Sequence, residues 1–331
     1  MAYDGKVMRR ALRQFEEEKQ RRAQAFQQQR TVIYRKVPRL MEIDRQLRGT
    51  MAKILSRALQ KGKDPRSAMA AIREENLALQ RERARLLREA GYPEDALEEK
   101  PACALCNDSG YQGSRMWSCL QAYYTRAQIA ELSKMLPMGE ETFETFSFQW
   151  YSLDRGGRGR SPRENAERNF DICRDYANQF GPLSGNLLLF GQPGLGKTFL
   201  SACIARVVSE SGHSVVYDTA ANIFAQYESC KFRRFDDDDA APDEDVNRYQ
   251  KCDLLIMDDL GTEMLTSFVQ STIYQIINGR LSAGRKTIIS TNLTPDQIGQ
   301  RYGAAVRSRI EGEYELLPFV GEDIRVLKRR S

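Results

Sequence analysis

The sequence predicts an α/β protein in which a parallel sheet is covered by helices on both faces, preceded by an all-α N-terminal domain and a small cysteine-containing segment. Three observations predict this architecture. From about residue 166, apolar runs typical of buried strands alternate with helical stretches. Residues 4–30 and 38–90 are rich in strong helix formers such as Ala, Leu, Gln and Glu. Between the two parts, residues 101–119 contain three of the seven cysteines.

A chain of 331 residues is long enough for several domains. We expect four parts: a helical domain (1–95), a cysteine segment (96–125), a linker (126–165) and the α/β domain (166–331). No stretch approaches the roughly 20 apolar residues that span a bilayer. The first residues lack the apolar core of a signal peptide, so we expect a cytoplasmic protein.

The N-terminal part is predicted to be a helical hairpin or small bundle. Pro38 separates two helical stretches, and Gly62 and Pro65 mark a turn within the second. Apolar residues recur there at spacings of mostly three and four, at Leu40, Met41, Ile43, Leu47, Met51, Ile54 and Leu55. Heptads are not sustained, so a long coiled coil is the second alternative.

The charge of the chain is unevenly distributed. Residues 1–90 carry 23 Lys and Arg against 11 Asp and Glu, whereas the remainder carries 27 against 34. A basic helical part fits a solvated surface, an acidic protein partner or a nucleic-acid contact, and these alternatives stay open.

The clustered cysteines have the spacing of a zinc ribbon. Cys103 and Cys106 are separated by two residues, and Cys119 follows after twelve more. Structural zinc takes four ligands, so Asp108 or water would have to complete the site. The alternative is a metal-free turn. The other four cysteines are expected to be reduced packing residues: Cys173, Cys203, Cys230 and Cys252.

The α/β part is predicted element by element from its apolar runs. A helix over 120–140 and a glycine-rich run at 155–164 precede it. The expected strands are residues 186–190, 215–217, 254–257 and 287–290, and helices are expected up to residue 211 and over 266–283.

A phosphate-binding loop follows the first of these strands. Residues 191–198 match G-x-x-x-x-G-K-[ST] at each fixed position and open a helix. Glycines let successive N–H groups point at phosphate oxygens, Lys197 reaches the β- and γ-phosphates, and Thr198 offers a hydroxyl to Mg²⁺. The sequence therefore predicts an ATP–Mg²⁺ site with these contacts: Gly191, Pro193, Gly194, Leu195, Gly196, Lys197, Thr198 and Phe199.

Polar residues that follow the later strands complete the predicted site. Asp258 and Asp259 end a buried apolar run, at the sheet edge where open α/β sheets bind ligands. Asp258 is expected to hold Mg²⁺, largely through water, and Asp259 to orient and deprotonate the attacking water. Asn292 follows the next strand and is expected to position that water or touch the γ-phosphate.

Arginines near the C-terminus are candidates for stabilising the transition state. Arg309 is predicted to be an arginine finger that reaches a neighbouring copy's ATP site, with Arg307 as the reserve. A surface arginine without this role is the alternative. Arg325 is a candidate nucleotide sensor within its own chain.

Together, GQPGLGKT, LLIMDDLG, STN and VRSRI resemble the bacterial replicative-helicase loaders of the DnaC/DnaI type, a family of AAA+ ATPases that includes IstB-type transposition helpers. The resemblance covers residues 140–331 and extends to the N-terminal helices. It implies a ring- or spiral-forming ATPase that delivers the hexameric replicative helicase onto single-stranded DNA, with the N-terminal helices gripping the helicase. Family members carry Cys-x-Cys where this chain has Trp117 and Cys119, which leaves the zinc site in question.

The same resemblance implies a DNA-facing helix at about residues 220–235. Aromatics stack on bases and cations neutralise phosphates, which suits single strands. The candidate DNA contacts are Phe224, Tyr227, Lys231, Arg233 and Arg234. Alternatively the aromatics are core residues, and the acidic run at 236–239 would repel phosphate.

Two other functions remain open: an IstB-type transposition helper that acts with a transposase, and a nucleotide-binding adaptor with little hydrolysis. The basic helical N-terminus with its cysteine segment favours the loader, because transposition helpers usually lack it.

Overall fold

The computed structural model describes residues 3–50, 65–135, 141–155, 159–236 and 244–330. The chain divides into two compact units, residues 14–117 (the N-terminal unit) and residues 1–13 with 118–331 (the C-terminal unit). Three predicted apolar positions, Met51, Ile54 and Leu55, lie outside the described residues.

The N-terminal unit contains the expected helices. Their bounds are α1 (Gly5–Lys36, whose first residues belong to the C-terminal unit), α2 (Pro38–Arg48) and α3 (Pro65–Glu89). A proline occupies the first turn of α2, where its missing N–H costs no helical hydrogen bond. Ile33, Leu40 and Leu87, one from each helix, are fully buried in one apolar cluster. The predicted all-α N-terminal region is confirmed.

The cysteine segment is organised around a small hairpin and a buried carboxylate. Its two short antiparallel strands are β1 (Tyr111–Gln112) and β2 (Arg115–Met116). The Asp108 carboxylate accepts hydrogen bonds from the backbone N–H groups of Ala102 (3.0 Å) and Cys103 (2.9 Å) and from the Arg22 guanidinium (3.2 Å). These three donors fix the Asp108 carboxylate in the cysteine segment, and its part in completing a zinc site stays a prediction.

The C-terminal unit is built on a five-stranded parallel sheet with the strand order β4-β5-β6-β3-β7. The strands are β3 (Asn186–Gly191), β4 (Val215–Thr219), β5 (Leu254–Leu260), β6 (Lys286–Thr291) and β7 (Tyr314–Phe319). The helices are α4 (Ser118–Met135), α5 (Pro162–Asn178), α6 (Lys197–Glu210), α7 (Ala220–Asp236), α8 (Glu244–Lys251), α9 (Ser267–Ser282), α10 (Pro295–Tyr302), α11 (Ala304–Glu313) and α12 (Ile324–Arg330).

Both faces of this sheet are buried. Leu187 and Leu189 of β3 join one apolar cluster, whereas Leu188 joins the other. Successive side chains of a strand point to opposite faces, so helices cover each face. The expected α/β fold class, a parallel sheet covered by helices on both faces that follows a helical region and a cysteine segment in the chain, is confirmed.

Strand β7 was not predicted. It follows α11 without an intervening turn, contains Pro318, and is buried only at Tyr314, Leu317 and Phe319, so neither a continuous apolar run nor a strict alternation marks it in the sequence. Its parallel pairing with β3 places Phe319 beside Gly191, at the start of the phosphate loop.

The stretch 126–165, expected to be a linker, contains packed elements. Leu132 of α4 is buried in the core of the C-terminal unit, Phe143 and Phe146 pack against that core, and a single 3₁₀ turn spans Phe148–Trp150. Residues 136–140 and 156–158 lie outside the described residues. The four-part division of the chain stays a prediction. Among the described residues, no helix combines the length and apolarity needed to cross a bilayer.

Candidate nucleotide-binding site

The phosphate loop, residues 191–198, joins β3 to α6 and depends on its glycines. Gly191, Gly194 and Gly196 have positive φ angles of 145°, 75° and 86°. A Cβ atom at Gly191 would lie 2.1 Å from the Phe319 carbonyl oxygen, and one at Gly196 would lie 2.8 Å from the Tyr151 hydroxyl. Larger residues would therefore distort the loop. The positive N-terminal end of α6 lies at the loop, which is the arrangement that phosphate binding requires.

Lys197 is buried beneath this loop. Its ammonium donates to the carbonyl oxygens of Gly191 (2.7 Å) and Gln192 (2.8 Å) and to the Asn292 side-chain oxygen (2.9 Å). Burial lowers the pKa of Lys197, although neighbouring carboxylates act in the opposite direction. The fold thus brings together Lys197 and Asn292, which are 95 residues apart in the chain.

Asp258 is buried at the carboxyl end of β5. Its carboxylate accepts hydrogen bonds from the hydroxyl groups of Tyr217, Ser290 and Thr198, the last at 3.2 Å. A carboxylate beside a hydroxyl at the mouth of a phosphate loop is an oxygen donor set of the kind that Mg²⁺ prefers. Thr198 and Asp258 therefore fit the role of magnesium-holding residues.

Asp259 lies in a β-bulge. Between Met257 and Leu260 the register against β6 shifts, and Asp259 has a φ angle of +53°, in the left-handed region. The extra residue turns the Asp259 side chain outward, whereas that of Asp258 stays buried. Partial burial and the charge of Asp258 raise the pKa of Asp259. The bulge gives two adjacent carboxylates different environments.

These residues surround a cleft of about 450 Å³. The predicted nucleotide contacts that line it are Pro193, Gly194, Leu195, Gly196, Lys197, Thr198 and Phe199, and Asp259 and Asn292 line it as well. Asp258 does not line the cleft, but it accepts a hydrogen bond from Thr198, which does.

Part of the cleft wall was missed by sequence reasoning. Phe146, Trp150 and Tyr151 line it from the segment before α5, and the Tyr151 hydroxyl donates to the Leu195 carbonyl oxygen (2.9 Å). The density of aromatic residues at 143–151 was the available signal, but it does not tell a core residue from a pocket wall.

Short helix α12 supplies further cleft residues. Ile324, Arg325 and Lys328 line the cleft, and the Lys328 ammonium lies 5.8 Å from the centre of the Trp150 ring. The structure thus places Arg325, the candidate sensor, at the nucleotide site of its own chain.

The two candidate finger arginines differ in their surroundings. Arg307 pairs with Asp296 (2.7 Å) and with Glu311 (2.8 Å). Arg309 is exposed, and its side chain makes no ion pair or hydrogen bond within the described part of the chain. Neither lines the cleft of its own chain.

The expected DNA-facing helix, α7, directs its first aromatics inward. Phe224 is 3% exposed in the core, and the half-buried Tyr227 accepts a hydrogen bond from Gln250. Stacking of bases on these two rings is therefore not supported, because a core-facing ring offers no free face. Lys231 is exposed, and the side chains of Arg233 and Arg234 lie outside those that the structure describes.

The clustered cysteines fall on both sides of the unit boundary. Cys103 and Cys106 belong to the N-terminal unit, and Cys119 lies in the first turn of α4 in the C-terminal unit. Zinc binding stays a prediction. The other four cysteines are buried, as a packing role requires: Cys173, Cys203, Cys230 and Cys252.

Comparison with known proteins agrees with the nucleotide site. Residues 177–329 match the family model described as IstB-like ATP binding protein. The replicative helicase loader DnaC of Escherichia coli (strain K12) is 26% identical over 138 residues, which are 42% of this chain and 55% of that protein. The replicative helicase loader DnaI of Bacillus subtilis (strain 168) is 27% identical over 142 residues, 43% of each chain.

The chain thus spans about half the length of the curated relatives it matches. A crystal structure of the DnaC helicase loader aligns with a TM-score of 0.43 at 23% identity, covering 52% of this chain and 98% of that one. The stretch that is similar to the IstB-like ATP-binding family, residues 177–329, contains the phosphate loop and the residues Asp258, Asp259 and Asn292.

Proposed function

We propose that this protein is an ATP-dependent loader that delivers the hexameric replicative DNA helicase onto single-stranded DNA, during replication initiation or restart. The observation that carries the proposal is the cleft lined by Lys197, Thr198, Asp259 and Asn292, in which Thr198 contacts Asp258. The names of the similar proteins, which are replicative helicase loaders, supply the substrate of the proposed loading reaction.

The residues of the cleft support hydrolysis as well as binding. Lys197 would exchange its carbonyl partners for β- and γ-phosphate oxygens. Thr198 and Asp258 would hold Mg²⁺, which neutralises charge that develops on the phosphates. Asp259 is exposed to the cleft, and its raised pKa makes it a stronger base for the attacking water. Asn292 would position that water.

Arg309 completes the proposed mechanism from a neighbouring copy. An exposed guanidinium without a partner in the described part of the chain is available to another protomer's γ-phosphate. Hydrolysis would then require a ring or spiral, which links ATP turnover to the assembled state.

The remaining partners are assigned by charge. The basic N-terminal helices would grip the helicase, and the exposed Lys231 of α7 would contact the DNA backbone together with Arg233 and Arg234. The transposition-helper alternative is not favoured, because the curated relatives compared above are helicase loaders.

Co-purification of the full-length chain with the replicative helicase of its host tests the proposal. We expect capture with ATP and Mg²⁺, and an altered complex with Lys197→Ala. Lys251→Ala, an exposed lysine at the end of α8, is the matched control and should behave as wild type. Capture of a transposase in place of the helicase would overturn the loader assignment.

A further inference from the structure

The carboxylate of Asp258 is held from three separate elements. Tyr217 of β4 donates its phenol hydrogen to Oδ2, and Ser290 of β6 donates to Oδ1. Thr198 of α6 lies 3.2 Å from Oδ2 and 3.5 Å from Oδ1. Rotation of the carboxylate would break the hydrogen bonds to both flanking strands at once, so its plane is fixed relative to the phosphate loop.

Tyr217 reaches this carboxylate along the sheet. In the parallel register its backbone is paired with Ile256, two residues before Asp258, and its ring lies in the apolar core. The phenol is the donor of this hydrogen bond, because a carboxylate oxygen can only accept one.

We propose that Tyr217 is a positioning residue of the magnesium site, which acts through Asp258. Its hydrogen bond, with that of Ser290, aims the carboxylate at the position next to the Thr198 hydroxyl. Both carboxylate oxygens already accept hydroxyl donors, so Asp258 would hold the ion largely through water, which Mg²⁺ gives up reluctantly. The inference rests on the proposed function, because it assumes that the nucleotide arrives with Mg²⁺.

A second tyrosine–aspartate pair offers an internal comparison. Tyr249 of α8 is fully buried and donates to Oδ2 of Asp218 (2.7 Å), a buried carboxylate of β4. This pair does not line the nucleotide cleft. Tyr249→Phe and Tyr217→Phe therefore each remove one tyrosine hydroxyl that donates to a buried aspartate. Only Tyr217→Phe removes a donor to Asp258.

The experiment is the binding of a fluorescent ATP analogue to the full-length chain, with Mg²⁺ and with EDTA. Mutation of a residue that orients a metal ligand typically lowers the affinity for the metal by about 10- to 100-fold. We expect the gain in affinity that Mg²⁺ produces to be about tenfold smaller in Tyr217→Phe than in the wild type. In EDTA the two proteins should bind the analogue equally well. Tyr249→Phe should keep the full gain.

Three results would count against the inference. If Mg²⁺ raises the affinity of Tyr217→Phe for the analogue as much as that of the wild type, the inference is overturned. If the affinity of Tyr217→Phe is weakened equally with and without Mg²⁺, Tyr217 has a merely structural role. A wild-type protein that binds no analogue in either condition would refute the proposed function and this inference together. If Tyr217→Phe does not fold, Ser290→Ala decides, since it removes the donor to the other oxygen of Asp258: the same loss is expected, and an unchanged gain overturns the inference.

Discussion

Replacing Lys197 by alanine tests the nucleotide site most directly. At an effective dielectric constant of about 20, two unit charges about 3 Å apart attract by about 5.5 kcal/mol. The ammonium must first give up three hydrogen bonds of 2.7–2.9 Å, an exchange that costs about 2 kcal/mol. The difference of about 3.5 kcal/mol corresponds to a Kd for ATP raised by about 300-fold in Lys197→Ala.

The assay is equilibrium binding of a fluorescent ATP analogue in the presence of Mg²⁺. Lys251→Ala serves as the control, because its side chain is exposed at the end of α8. Thermal unfolding of both variants shows whether the fold is retained. A folded Lys197→Ala protein whose affinity falls by less than about tenfold would refute the charge argument, since that loss corresponds to only about 1.4 kcal/mol.

Three further predictions concern catalysis and metal content. Asp259→Asn should spare ATP binding and lower turnover by about 10²- to 10⁴-fold. In the wild type, turnover should fall as the pH drops through the raised pKa of Asp259, because the base must be ionised, and a pH–rate profile without that loss would contradict the assignment. Arg309→Ala should bind ATP normally and lower turnover in the assembled state by about a thousandfold. Arg307→Ala should change turnover little, because the Arg307 side chain is already paired with Asp296 and Glu311. Equal effects of the two arginine variants would argue against the finger. Elemental analysis should find about one zinc per chain, lost in Cys103→Ser, and metal-free wild-type protein would favour the turn interpretation.

Local signals predicted much of the C-terminal unit. Runs of apolar residues predicted β3, β4 and β5, and Ile288 with Ile289 predicted β6, because strands buried on both faces are rich in apolar residues. Strand β7 escaped this rule, since Pro318 and its exposed Glu315 are typical of an irregular segment. Its place in the sheet comes from pairing with β3, which is a long-range contact.

The aromatic residues of α7 show where periodicity is ambiguous. Phe224 and Tyr227 are three residues apart, so they share a helix face. The same spacing serves a core-facing helix and a base-stacking helix, and only burial tells them apart. Phe224 is 3% exposed because α7 packs against the sheet.

The phosphate loop could be identified from the sequence alone because its conformation is local. Positive φ angles call for glycine, and the lysine and threonine follow those glycines directly in the chain. The surroundings of Asp258 could not be inferred in this way. Tyr217 and Ser290 meet it only because parallel pairing brings β4 and β6 to either side of β5, and the order of strands in a sheet is decided by packing over the whole domain.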